Sequence, residues 1–233
     1  MVSPSPLQRG NASFGPRLVS HSQRLSAVVL IYPEHVVADT DPDAISSAAL
    51  YMAKNDVNAD VIHRCVESRV QDILSSPMPT SPHDILARTH ALLIYQILRL
   101  FDPDIRARAA AEAVTPQLES AAFALVSHVS FDDATPEGNL RNYQPLPLYP
   151  LSSARDFWKS WIFQESARRT FLITFFFLQA YRTMKGVGPM QCDGKLYLIH
   201  SWTLSAHLWH ASDPVDFAVA WKEKKHYVVT NSK

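Results

Sequence analysis

The 233 residues are 47% apolar and include 11 Phe, 8 Tyr and 5 Trp, enough for a sizeable core, so disorder along the whole length is excluded. Lys plus Arg equals Asp plus Glu at 22 each, which leaves no basic excess of the kind a phosphate-contacting module carries. The two cysteines, Cys65 and Cys192, are too few for a disulfide scaffold or a Cys-rich zinc motif.

Residues 1–26 are rich in Ser, Pro and Asn and read as a flexible lead without the apolar centre of a signal peptide. The run Val28–Tyr32 is either a strand or the first turn of a buried helix, since periodicity does not separate the two at that length. Residues 27–233 read as one helical domain.

Helix starts then recur. Asp41-Pro42-Asp43 supplies an N-cap, a first-turn proline and a first-turn carboxylate for a helix to about Lys54. Asn58-Ala59-Asp60 opens the next, with Val61, Ile62, Cys65, Val66, Val70, Ile73 and Leu74 forming one apolar stripe until Pro77 and Pro79 stop it. Ser81-Pro82-His83-Asp84 starts a third, with Asp84 at the capping-box position. Asp102-Pro103-Asp104 begins an alanine-rich fourth, in which Pro116 predicts a kink or a restart because it lacks an amide and clashes with the preceding turn.

Prolines 136, 145, 147 and 150 make about 131–153 an irregular connector, long for a compact domain. A long helix follows from about Ala154 to Lys185, ended by Gly186-Val187-Gly188-Pro189. Its run Phe171–Tyr181 is about half the length a membrane span requires, so a buried helix is expected and no membrane contact. Lys195–Ile199 reads as a short strand, Thr203–Trp209 as a short helix, and Pro214 to about Lys225 as a last helix capped by Ser212-Asp213. No repeat, long heptad or strand–helix alternation is present. The expected class is all-α: an irregular multi-helix bundle around the long aromatic-rich helix, with Trp158, Trp161, Phe171, Phe175 and Tyr181 at its centre or lining a pocket.

Chemistry-bearing residues are sparse. His207 and His210 are three apart, with His200, Cys192 and Asp193 nearby, but two histidines fall short of the three protein ligands typical of zinc, and no metal is assigned. Glu165 and Arg169 have the favourable i, i+4 order for a helical ion pair, and Arg168 lies beside them. An orienting network is the expectation, and anion or acidic-partner binding the functional alternative. Cys192-Asp193-Gly194 reads as a turn. The basic end Lys222–His226 suits the helix dipole. No nucleophile elbow, phosphate-binding loop, dinucleotide fingerprint or His-Glu-x-x-His is present, and no cofactor is assigned.

The order Trp158-x-x-Trp161-Ile162-x-x-Glu165-Ser166-x-Arg168-Arg169-Thr170, Cys192-Asp193-Gly194, Trp202–Ala206, Leu208-Trp209 and Phe217-x-x-Ala220-Trp221 resembles the C-terminal regulatory region of fungal zinc binuclear-cluster transcription factors. The blocks Lys54–Asn58 and Arg88–Gln96 are similar to the helices preceding it, so the likeness runs from about 28 to 230. It implies an all-α domain, a nuclear location and transcriptional control, often of a biosynthetic gene cluster, through a ligand or partner. The six-cysteine cluster of that family has no counterpart here, so no zinc or DNA-reading residue carries over. The expectation is a fragment, a truncated product or a stand-alone relative without direct DNA contact, cytoplasmic if it stands alone. Two alternatives come with it. One is a secondary-metabolism enzyme or accessory protein that holds a hydrophobic intermediate and steers its cyclisation or rearrangement, with His200, His207, Glu165 and Arg168 as its polar groups. The other is an oligomerisation domain that self-associates through apolar helix faces.

Overall fold

A computed structural model describes residues 42–129, 146, 151–188, 202–223 and 228–229. The elements are α1 (Pro42–Met52), α2 (Ala59–Ser75), α3 (Pro82–Leu100), α4 (Ile105–Val126), α5 (Leu151–Met184), β1 (Trp202–Thr203), α6 (Ala206–Trp209), α7 (Pro214–Glu223) and β2 (Val228–Val229). The class is all-α. The two-residue strands pair antiparallel, Trp202 opposite Val229 and Thr203 opposite Val228. No described helix is long and apolar enough to cross a membrane. The expected lead at 1–26, the run Val28–Tyr32, the strand at Lys195–Ile199 and the Cys192-Asp193-Gly194 turn lie outside the described residues, as does most of the connector.

The helix starts follow a local rule. Pro42, Pro82 and Pro214 each open a helix, with Asp43, Asp84 and Asp216 in the first turns, where a carboxylate meets the positive end of the dipole. Asp213 accepts from the amides of Val215 (2.8 Å) and Asp216 (2.9 Å), capping α7. Ser81 departs from expectation, for its side chain makes no capping bond. At the other end of α5, Gly186 takes a φ of 71° while Val187 N donates to Arg182 O at 3.1 Å, the positive-φ glycine stop.

Three expectations are corrected. The long helix starts at Leu151, immediately after Pro150, which cannot donate to the preceding turn. Residues 105–126 form one helix with Pro116 inside it, so the helix does not restart. Val114, Leu118, Ala121, Ala122 and Leu125 are buried on either side of that proline, and their packing offsets the roughly 3 kcal/mol an interior proline costs. Thr203 is in β1 rather than in a helix, and α6 holds only Ala206–Trp209.

The largest correction concerns the centre of the bundle. Every residue from Thr89 to Leu100 is buried, so α3 rather than α5 is the helix enclosed on all sides. Leu92, Leu93, Ile94, Ile97 and Leu98 join Ala44, Ala48 and Tyr51 of α1, Ile62, Val66 and Val70 of α2 and Val114 and Leu118 of α4 in one core. Helix α5, at 34 residues, is roughly 51 Å long and outruns its neighbours. Its aromatic side chains therefore divide among different partners along its length.

The buried polar groups on α3 find partners in their own helix or on a neighbouring one. Thr89 Oγ1 donates to Ile85 O at 2.7 Å, Gln96 Nε2 to Ala111 O of α4 at 2.8 Å, and Arg99 Nη1 to Glu67 of α2 at 2.9 Å. His90 Nε2 is 2.6 Å from Thr170 Oγ1 of α5, and burial drives its pKa down to about 3. The unfolded histidine binds its proton near pH 6.5 and the folded one does not. Stability from His90 is therefore complete above pH 6.5 and is lost as pH falls toward 3. Urea unfolding should show His90→Gln removing about 1 kcal/mol of pH dependence per unit between pH 6 and 5, relative to the unsubstituted chain. Equal slopes in the two proteins would show that His90 is charged in the fold.

Candidate functional site

Two clusters of polar side chains stand out. The first is the one expected on α5. Glu165 is buried and accepts from Arg169 Nε at 2.9 Å and Arg168 Nη1 at 3.4 Å. The Arg169 guanidinium lies over the Trp209 ring at 4.0 Å, which ties α5 to α6. The i, i+4 pair thus has its expected partner, and what it orients is a tertiary contact. His207 is half-buried on α6, and His210 is exposed at its C-cap. His200 and Cys192 lie outside the described residues, and among the described residues no group of three His, Cys, Asp or Glu side chains is placed to hold a metal ion.

The five aromatic residues are spread along α5. Trp158 and Trp161 pack with Leu208 and Phe217, the ring of Trp161 at 5.1 Å from Phe217. Phe171 meets Ala122 and the ring of Phe123 at 5.6 Å. Phe175 sits 5.9 Å from Phe176. Tyr181 is edge-on to Phe101 at 5.9 Å and donates to Glu112 at 2.5 Å, while burial and that bond push its hydroxyl up to about 12. These contacts bind α5 to α4 and α7 at separate points.

The second cluster was not foreseen. Asp102, read as part of a helix start, turns inward and is buried, and Asp104 caps α4 instead by accepting from Ala107 N at 2.8 Å. The Asp102 carboxylate accepts from Lys54, Tyr51 and the amide of Asp104, the last at 2.8 Å, and His63 Nε2 lies 3.3 Å away. Burial alone would raise the carboxyl. The hydrogen bonds from Lys54, Tyr51 and Asp104 and the charge of Lys54 outweigh it and hold the group down at about 2. In the sequence the doubled Asp in Asp102-Pro103-Asp104 was the available signal, since one cap needs one carboxylate.

Tyr51 and His63 face a cleft of about 440 Å³. One wall is α2, with His63, Arg64 and Glu67; the other is the start of α4, with Asp104, Arg106 and Ala107. Arg99 of α3 closes the base and is held there by Glu67.

Compared with known proteins, the chain is 34% identical over 185 residues to Transcription factor gsfR2 of Penicillium aethiopicum. The alignment covers 78% of this chain and 42% of that protein, so the chain spans about two fifths of the length of this curated relative. The chain is related to a fungal transcription factor. No protein-family model matches it, and no solved structure does. This relationship agrees with the resemblance to fungal transcription factors that the blocks between about 28 and 230 carry, and the alignment likewise extends over most of the chain.

Removing Asp102 leaves the Lys54 ammonium facing Tyr51 and His63 without its carboxylate. Asp102→Ala should lower the unfolding free energy by about 3 kcal/mol, with much of the loss recovered in Asp102→Ala/Lys54→Met. A double variant as unstable as the sum of the two singles, measured by urea unfolding, would mean that the two groups do not interact.

Proposed function

We propose that this chain is the regulatory region of a fungal transcription factor: a nuclear helical domain that sets transcription, of a biosynthetic gene cluster, through a bound ligand or protein partner. The observation that carries the reading is the 34% identity to Transcription factor gsfR2 across 78% of the chain. Two features of the molecule support it. The formal net charge is zero, which suits contact with a ligand or protein better than contact with phosphate. The cleft between α2 and α4 has the size of a small-molecule site and convergent polar groups around it.

On this reading the bundle is a receiver whose output is recruitment or release of transcriptional machinery. Fused to an unrelated DNA-binding domain and placed in a fungal host with a matching reporter, the chain should change reporter output by at least severalfold in one or more growth conditions. A buried-core variant such as Leu118→Asp should abolish that change, because Leu118 is fully buried. Reporter output indistinguishable from the bare DNA-binding domain in every condition would count against the reading.

A further inference from the structure

Resting on the regulatory reading, we infer that the cleft between α2 and α4 is a binding site for a small amphipathic organic anion, an apolar body bearing one carboxylate, sulfonate or acidic phenol. Its volume, about 440 Å³, falls in the range of ~300 to 1,000 Å³ typical of small-molecule sites. Its apolar lining comes from the Tyr51 ring, Val66, Ala107 and Ala110, which suits a ring system.

The charges decide the sign of the ligand. Three carboxylates and three guanidiniums line the cleft, and half of them are already engaged. Arg99 is paired with Glu67 at 2.9 Å. Asp104 is committed to the Ala107 amide at 2.8 Å as the cap of α4. What remains is Asp60 against two exposed arginines, Arg64 on the α2 wall and Arg106 on the α4 wall. Among the described residues neither arginine forms an ion pair, and the Arg64 guanidinium makes one bond, to the Asp60 carbonyl at 3.3 Å. An acid group at the rim thus meets two planar donors suited to bidentate recognition while its apolar body lies against Tyr51 and the α4 alanines.

The test uses the full chain and two probes with the same aromatic body. They are 8-anilinonaphthalene-1-sulfonate, which is an anion, and N-phenyl-1-naphthylamine, which is neutral. Fluorescence titration should show the anion saturating one site. Arg64→Ala/Arg106→Ala should weaken it about tenfold or more, as loss of charge-assisted contacts does, while the neutral probe changes by less than about twofold. Ala107→Trp, which fills the cleft, should remove both. Far-UV circular dichroism reports whether each variant keeps its helices, and the arginine pair is exposed, so that variant keeps the question open to measurement. Anion binding unaffected by the arginine pair, equal loss of both probes in that variant, or binding that survives Ala107→Trp would each overturn the inference. A silent reporter fusion together with the expected probe pattern would sink the regulatory reading and leave the cleft assignment standing. An active fusion with probe binding unaffected by the arginine pair would do the reverse.

Discussion

A helix buried along its whole circumference cannot turn its polar side chains to water, so those on the Thr89–Leu100 stretch of α3 have to find partners inside the fold. Thr89 turns back to the Ile85 carbonyl of its own helix, and the others are each met by a different element. His90 reaches Thr170 of α5, Gln96 the Ala111 carbonyl of α4, and Arg99 Glu67 of α2. Tyr95 lies 3.4 Å from Ser47 of α1, and just beyond the helix end Asp102 holds Tyr51 and Lys54 at the end of α1. The apolar core supplies the driving force, through burial of Leu92, Leu93, Ile94 and their partners. The polar contacts fix which neighbour goes where, because a shifted register would strand a buried donor at a cost of about 1 to 3 kcal/mol each.

The cleft follows from the same arrangement. Helix α2 offers the core a narrow stripe, Ile62, Val66 and Val70, and its remaining side chains are at least partly exposed. Helix α4 is set against α3 and α5 and cannot also close on α2. The space between them is floored by Tyr51 and Arg99, and the ion pair to Glu67 holds that floor without filling it. A fully buried Arg99 would be expensive on its own. Glu67, half in solvent, raises the pKa that burial lowers and keeps the guanidinium charged at the base of the cleft.

The sequence carried the local grammar of this fold and little of its long-range assembly. Proline and aspartate at Pro42-Asp43, Pro82 to Asp84 and Pro214 to Asp216 mark helix starts because the cause is confined to one turn. The Glu165–Arg169 pair was legible for the same reason, being four residues apart on one helix. Its cover was not, for Trp209 lies forty residues on and no periodicity reports which surface meets which. Asp102 shows the limit most clearly. Next to a proline and one residue from a second aspartate, it has every local feature of a cap. Only the arrival of Lys54 and His63, 48 and 39 residues away in sequence, turns it into a buried counterion. Aromatic density misled about the centre in a related way. Tryptophan and phenylalanine on α5 mark contact, but a helix of 34 residues makes contact with several bodies in succession, and the most enclosed helix is one whose polar residues disguise it.

These features also bound how a regulatory signal could leave the cleft on the proposed reading. A ligand shifts an equilibrium only by the difference in its affinity for two arrangements. Helix α4 is fixed to α5 by Tyr181 and Lys185 on Glu112 and by Arg182 on Glu119, at 2.5, 2.8 and 2.5 Å, and to α3 by Gln96. Helix α2 is attached by three buried aliphatic side chains, the Arg99–Glu67 pair, the Arg69–Asp43 pair to α1 at 3.1 Å and the contacts of His63 with Asp102 and Lys54. Helix α4 buries six residues against three for α2, so the less buried wall is the wall that yields. A ligand spanning both walls therefore acts on the seating of α2, and through His63 on the Asp102 cluster that anchors the end of α1. On the proposed reading, the route for a signal from the cleft therefore runs toward the N-terminal helices and not toward the α5–α7 face, which the rings of Phe157, Trp161, Phe217 and Trp221 close.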